Sequence, residues 1–186
     1  MPKLKNASGK DMFGHPVRKR VDRHERALAK MDKATFQARA ARLKFVDSML
    51  GDTWMAGSLE PVFVFKEAGW AYINGAYIST IMLAQVFIER VFHDFMVSKG
   101  LEKEANRGAQ ATIKYCRKHQ LVNEFLLEKF DRLRQIRNPF VHNKPFDYPF
   151  TLSQRLVLEQ LPPDDLLEKD AKEALSLMYT FLFTRL

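Results

Sequence analysis

Cysteine is almost missing from this sequence: Cys116 is the only one in 186 residues. A single thiol can build neither a disulfide framework nor a cysteine zinc site within one chain, so a reducing, cytoplasmic setting is expected. Glycine and proline are scarce too, at eight each, which argues against a sandwich or barrel made of many tight turns. The opening "MPKLKNASGKDMFGHPVRKR" has no apolar core of the kind a secretory signal needs. The longest apolar run, "WAYINGAYISTIMLAQVFI" (70–88), holds Asn74, Gly75, Ser79, Thr80 and Gln85, and Glu89 and Arg90 follow at once. Polar groups at that density are costly in lipid, so a helix buried in a bundle or dimer is expected, with no membrane partner. There is no internal repeat and no low-complexity tract.

What the sequence does have is apolar mass and an uneven charge. Its 15 Phe, 8 Met and 5 Tyr, within a hydrophobic fraction of 46%, can fill the core of one domain. The net charge of +8 is concentrated at one end: Met1 to Lys44 contains 13 Lys and Arg against 4 Asp and Glu, leaving 17 against 18 for the rest. Such a segment is either a solvated face or a contact for an RNA backbone or an acidic partner.

The expected fold class is all-α: a bundle of four to five core helices over 68–186, preceded by a basic helical extension over 1–67. Residues 1–15 are polar and mixed. Pro16 opens a narrow stripe of Val17, Val21, His24, Leu28 and Met31. Thr35 reads as the cap of a second helix running to Gly51. "DTWMAGSLEPVFVFKEAG" (52–69) reads as a connector, with "VFVF" as an unpaired strand at most. Residues 70–98 read as one long helix closed near Gly100, followed by helices over 109–119 and 121–137. "TLSQRLVLEQL" has no clear assignment, and Pro162-Pro163-Asp164 opens a last helix.

Candidate chemistry gathers at "RQIRNPFVHNKP" (134–145). Leu126, Phe130 and Leu133 step by four and three along one helix face, and Arg137 is next on that stripe. A buried arginine must be paired. Gln85, Glu89 and His93 form one polar line on the oily 70–98 helix, and Glu89 is a natural partner for it. Pro139 disfavours helix at Asn138, so Asn138 is expected to cap a fresh turn. That turn would swing His142 toward Arg137. Glu89 and His93 lack a third ligand, so no metal is expected, and no cofactor.

The Arg-Asn-x-x-x-His spacing resembles the R-x-x-x-x-H signature of HEPN domains (higher eukaryotes and prokaryotes nucleotide-binding). "AYISTIMLAQVFIERVFHDFM" resembles the family's early helix and "KDAKEALSLMYTFLF" its closing one, over about residues 68 to 183. Many members are metal-independent endoribonucleases that act as homodimers, often as toxins or in phage defence. The resemblance implies an RNA substrate, with Arg137 on the scissile phosphate and His142 as general acid/base. It also implies Glu89 orienting Arg137, Asn138 assisting, and a 2′,3′-cyclic phosphate product. The chemistry is self-consistent. RNA carries its own nucleophile, histidine moves protons near pH 7, and arginine's fork suits phosphoryl oxygens. A plainer reading stands beside it: a helix-locking Arg137–Glu89 pair, a capping Asn138, a packing His142. The fold would then be a module binding RNA, a nucleotide or a protein, or a scaffold for an antitoxin or other partner.

Overall fold

A computed structural model describes residues 22–50 and 59–183. Among them are eight helices and no strand: α1 (Arg23–Met49), α2 (Leu59–Ile73), α3 (Tyr77–Ser98), α4 (Glu102–Ala105), α5 (Ala109–Lys118), α6 (Glu124–Val141), α7 (Leu152–Glu159) and α8 (Pro163–Phe183). The protein is all-α. None of these helices is long and apolar enough to cross a membrane.

The chain divides into two compact units between Ala38 and Arg39. In the first, a capping box opens α1: the Asp22 carboxylate accepts from the His24 amide at 2.7 Å, and Glu25 reaches back to the Asp22 amide at 3.3 Å. Pro16, Val17 and Val21 lie outside the described residues. The expected cap at Thr35 is not one. Its Oγ1 donates to the Met31 carbonyl at 3.0 Å, a bond from inside a continuous helix.

The second unit holds the core, and it begins ahead of the 67/68 boundary expected from sequence, because Val46 and Phe65 are core residues. The expected connector (52–69) is in part helix: residues 59–69 belong to α2, while 52–58 lie outside the described residues. Pro61 is tolerated there because first-turn amides have no intrahelical acceptor to lose.

The expected 70–98 helix is two helices. Gly75 adopts φ +77, a left-handed conformation that glycine takes without steric cost. The Gly75 amide donates to the Tyr72 carbonyl at 3.0 Å and the Ala76 amide to the Ala71 carbonyl at 2.8 Å, closing α2. The same pair of bonds closes α3 at Gly100, from Gly100 to Val97 and from Leu101 to Met96.

Helix α3 is apolar on most sides, and α2, α4, α6 and α8 all pack on it. Three rings fasten α3 to α6 and α8. Phe92 lies 5.4 Å from Phe130 and 5.8 Å from Phe181, and Phe130 lies 6.0 Å from Phe181, between ring centroids. Each of the three is almost completely buried. Such tilted pairs add about 0.5–1.5 kcal/mol beyond the area they bury. This packing fixes the register of α6 on α3, and with it the reach of Arg137.

Candidate functional site

Leu126, Phe130 and Leu133 are buried, so the inward stripe of α6 runs as its spacing predicts. Arg137, one turn beyond Leu133, brings its guanidinium to the Glu89 carboxylate of α3, Nη2 to Oε1, at 3.3 Å. The same Oε1 accepts from Gln85 Nε2 at 2.7 Å. Gln85 is fully buried, and its own Oε1 has no hydrogen-bond partner among the described residues. An unsatisfied buried oxygen costs about 1–3 kcal/mol; here it accompanies an amide turned to hold Glu89. The Arg137 and Glu89 side chains remain 18% and 35% exposed, so the pair is held yet open to solvent.

The chain beyond Arg137 departs from expectation. Helix α6 does not break at Pro139 but runs through it to Val141, and the His142 amide closes it onto the Asn138 carbonyl at 2.8 Å. Asn138 is therefore no cap. It is buried, and its amide serves the preceding turn, donating to the Arg134 carbonyl at 3.1 Å and accepting from Arg134 Nη1 at 3.2 Å. The opposite amide orientation would place Oδ1 3.5 Å from Arg137 Nη1, at the limit of a hydrogen bond, with the nitrogen facing donors. The first orientation satisfies both atoms and is preferred. Burial and these bonds hold Asn138 helical despite the following proline.

With the helix continuous, residues five apart point about 140° away from each other around its axis. The break at Pro139 that was expected to re-aim His142 is therefore absent. His142 is the C-cap, with extended backbone (φ −127, ψ 136) and an exposed side chain that has no hydrogen-bond partner among the described residues. The structure thus joins Arg137 to Glu89 and Gln85, and among the described residues it shows no hydrogen bond between Arg137 and His142.

Glu89 also lines a cleft of about 470 Å³ with Arg90, His93, Asp94, Gly108 and Thr112. His93 Nδ1 lies 3.4 Å from Asp94 Oδ1. The polar line along α3 therefore divides: Gln85 is sealed in the core, Glu89 bridges to α6, and His93 faces the cleft. Among the described residues no three His, Cys, Asp or Glu side chains converge as a metal site requires. Cys116 is buried against the Met96 sulfur at 3.4 Å, and burial pushes its thiol up to about 11, so it is an inert core residue.

Two further charged networks escaped the sequence reading. Arg155 of α7 forks onto Asp170 of α8, with Nη2 to Oδ1 at 2.7 Å and Nη1 on Oδ2. Arg155 also donates to Glu159 Oε1 at 2.9 Å, and Lys169 reaches Glu159 Oε2 at 2.7 Å. Burial opposes the charge on Arg155, but hydrogen bonds and attraction from Asp170 and Glu159 outweigh it and raise the guanidinium further. In the other network, Arg42 donates to the Ile73 carbonyl and to the Tyr77 hydroxyl, each at 3.0 Å, and Tyr77 donates to Glu168 at 2.6 Å. Burial, then the bond to Glu168, pushes Tyr77 up to about 12.

Comparison of the chain with protein-family models, with curated proteins and with solved structures gave no match.

Proposed function

We propose that this protein is a metal-independent endoribonuclease of the HEPN type, cleaving RNA through its own 2′-hydroxyl. Arg137 neutralises the phosphate and His142 moves the protons. The observation that carries it is the state of Arg137. One bond from a carboxylate holds the guanidinium at the solvent boundary, and in the preferred Asn138 orientation Nη1 has no acceptor among the described residues. An arginine oriented yet open is what phosphate capture asks for. Glu89, fixed by Gln85, is the positioning residue. As the resemblance implies, the catalytic arrangement is assigned to two copies of the chain. A toxin or phage-defence role, with an antitoxin as partner, follows from the resemblance alone.

A specific observation favours a second reading. Arg137 already has a carboxylate, and among the described residues the His142 side chain has no hydrogen-bond partner, so the fold serves equally as a non-cleaving RNA- or protein-binding module. Incubation of unmodified RNA with the protein in EDTA separates the two. Cleavage to 2′,3′-cyclic ends that is lost in folded Arg137→Ala and His142→Ala variants supports the nuclease. RNA binding without cleavage, unchanged by either substitution, leaves the module.

A further inference from the structure

The segment after His142, "NKPFDYPF" (143–150), carries three aromatic rings, with Phe146 exposed and Tyr148 and Phe150 half-buried. Phe146 is 81% exposed. Its position is not accidental slack in the chain. The Tyr148 amide donates to the Pro145 carbonyl at 3.0 Å, making a turn in which Phe146 is the second residue, at the tip. A second turn follows, from the Thr151 amide to the Tyr148 carbonyl at 3.0 Å, with Pro149 where turns favour proline. Gln154 Nε2 donates to the Phe146 carbonyl at 3.1 Å, tying the tip to α7. Helix α7 is in turn locked to α8 by the Arg155–Asp170 fork. The fixed backbone thus holds a large apolar ring in water, an arrangement that costs solvation and contributes nothing to the core.

The surroundings say what such a ring is for. Tyr148 lies tilted against Phe150, centroids 5.8 Å apart, and Lys144 Nζ sits 5.5 Å from the Tyr148 ring centre. The nearby Arg134 and Arg137 are paired with Asp131 and Glu89, and the loop itself contributes Lys144. Aromatic faces beside a cation are the recognition chemistry of single-stranded nucleic acid. The bases stack while the cation follows the backbone.

We infer that Phe146 is a base-stacking residue, and that the 143–150 loop selects a single-stranded RNA segment with an unpaired base next to the phosphate presented to His142. This rests on the nuclease assignment above. Phe146 is four residues from His142, at most about 14 Å along the backbone, which is a few nucleotides at about 3.4 Å of rise each. Duplex RNA, whose bases are already stacked on one another, cannot use the ring. Exposed Val157 and Leu158 on α7 make a protein partner or second copy the competing occupant.

The test measures binding of a single-stranded 2′-O-methyl oligonucleotide, which has no nucleophile and so remains intact. The same-sequence duplex, sedimentation of the protein, and cleavage of unmodified RNA run in parallel. Phe146→Ala is expected to weaken single-strand binding by about 5- to 100-fold with its salt dependence unchanged. Phe146→Trp is expected to retain binding, and the duplex to be indifferent to either change. Both variants should melt with wild type, since the ring packs against little. Equal binding by wild type and Phe146→Ala overturns the inference, as does weaker binding accompanied by a shift in oligomeric state, which marks a protein interface. If wild type cleaves RNA and Phe146→Ala binds and cleaves equally, the platform fails and the nuclease survives. If wild type binds through Phe146 yet never cleaves, the nuclease fails and the platform survives.

Discussion

Two arginines in this chain meet carboxylates on neighbouring helices, and they are held in opposite ways. Arg155 and Asp170 are 6% and 1% exposed at their side chains and meet through both guanidinium arms, with Glu159 and Lys169 completing the cluster. Arg137 and Glu89 meet through one arm at 3.3 Å, with 18% and 35% of their side chains in reach of water. A buried fork is committed, because removing either half strands a charge in a low-dielectric interior. A half-open single bond is released cheaply and can be exchanged for a phosphate. Arg155 is locked into the fold, and Arg137 stays open to exchange.

The contrast breaks most visibly at the committed pair. Arg155→Ala is expected to cost about 3–5 kcal/mol, a fall of about 10 °C in melting temperature for a domain of this size. The double change Arg155→Met with Asp170→Leu should recover most of that, because no charge is left stranded. Denaturant melts of the two variants check it. A single variant as stable as wild type would mean that water reaches Asp170 and that α7 is not locked.

At the open pair the expectation reverses. Arg137→Met should cost under about 1 kcal/mol of stability, while the proposed RNA cleavage should fall by about 10²–10³-fold, the usual loss on removing one donor to a developing anion. The two losses are measured on the same preparation. If stability falls as far as in Arg155→Ala, Arg137 is a second structural lock and the contrast disappears.

The rule that singled out Arg137, a charge on an apolar stripe, would also have found Asp170. Leu166, Asp170, Ala174 and Met178 step by four along α8, and all are buried. What no local pattern names is the partner, since Arg155 lies on a short helix whose place is set by packing on α8. The inward face of α6 and the Glu89 partnership were legible because α3 and α6 are long and periodic. Pro139 misled because burial of Asn138 and its bonds to Arg134 outweigh the local preference against helix. The α2–α3 junction was legible in principle, since Asn-Gly at 74–75 is a strong turn signal, but the apolar run across it obscured it. Gly75 gives the third prediction. Gly75→Ala should cost about 1–2 kcal/mol through its left-handed φ, because the added Cβ would meet Arg42 Nη2 only at 3.5 Å, an ordinary contact. A melt lowered by about 5 °C is expected; an unchanged one would mean that the junction relaxes.

The smallest effect probes the rim of the committed cluster. The bond from Lys169, followed by that from Arg155, holds the Glu159 carboxyl below its ordinary 4.5, against the opposing effect of its partial burial. A group with a depressed folded pKa adds stability that is fully present above the unfolded value and disappears as pH falls through the folded one. Wild type should therefore lose this contribution only below about pH 4.5, and Glu159→Gln, which cannot titrate, should lack that part of the acid limb. Denaturation midpoints followed from pH 7 to pH 3 measure both. Parallel acid limbs would show that Lys169, 45% exposed, leaves Glu159 to solvent, and that the cluster's hold on charge ends at the Arg155–Asp170 fork.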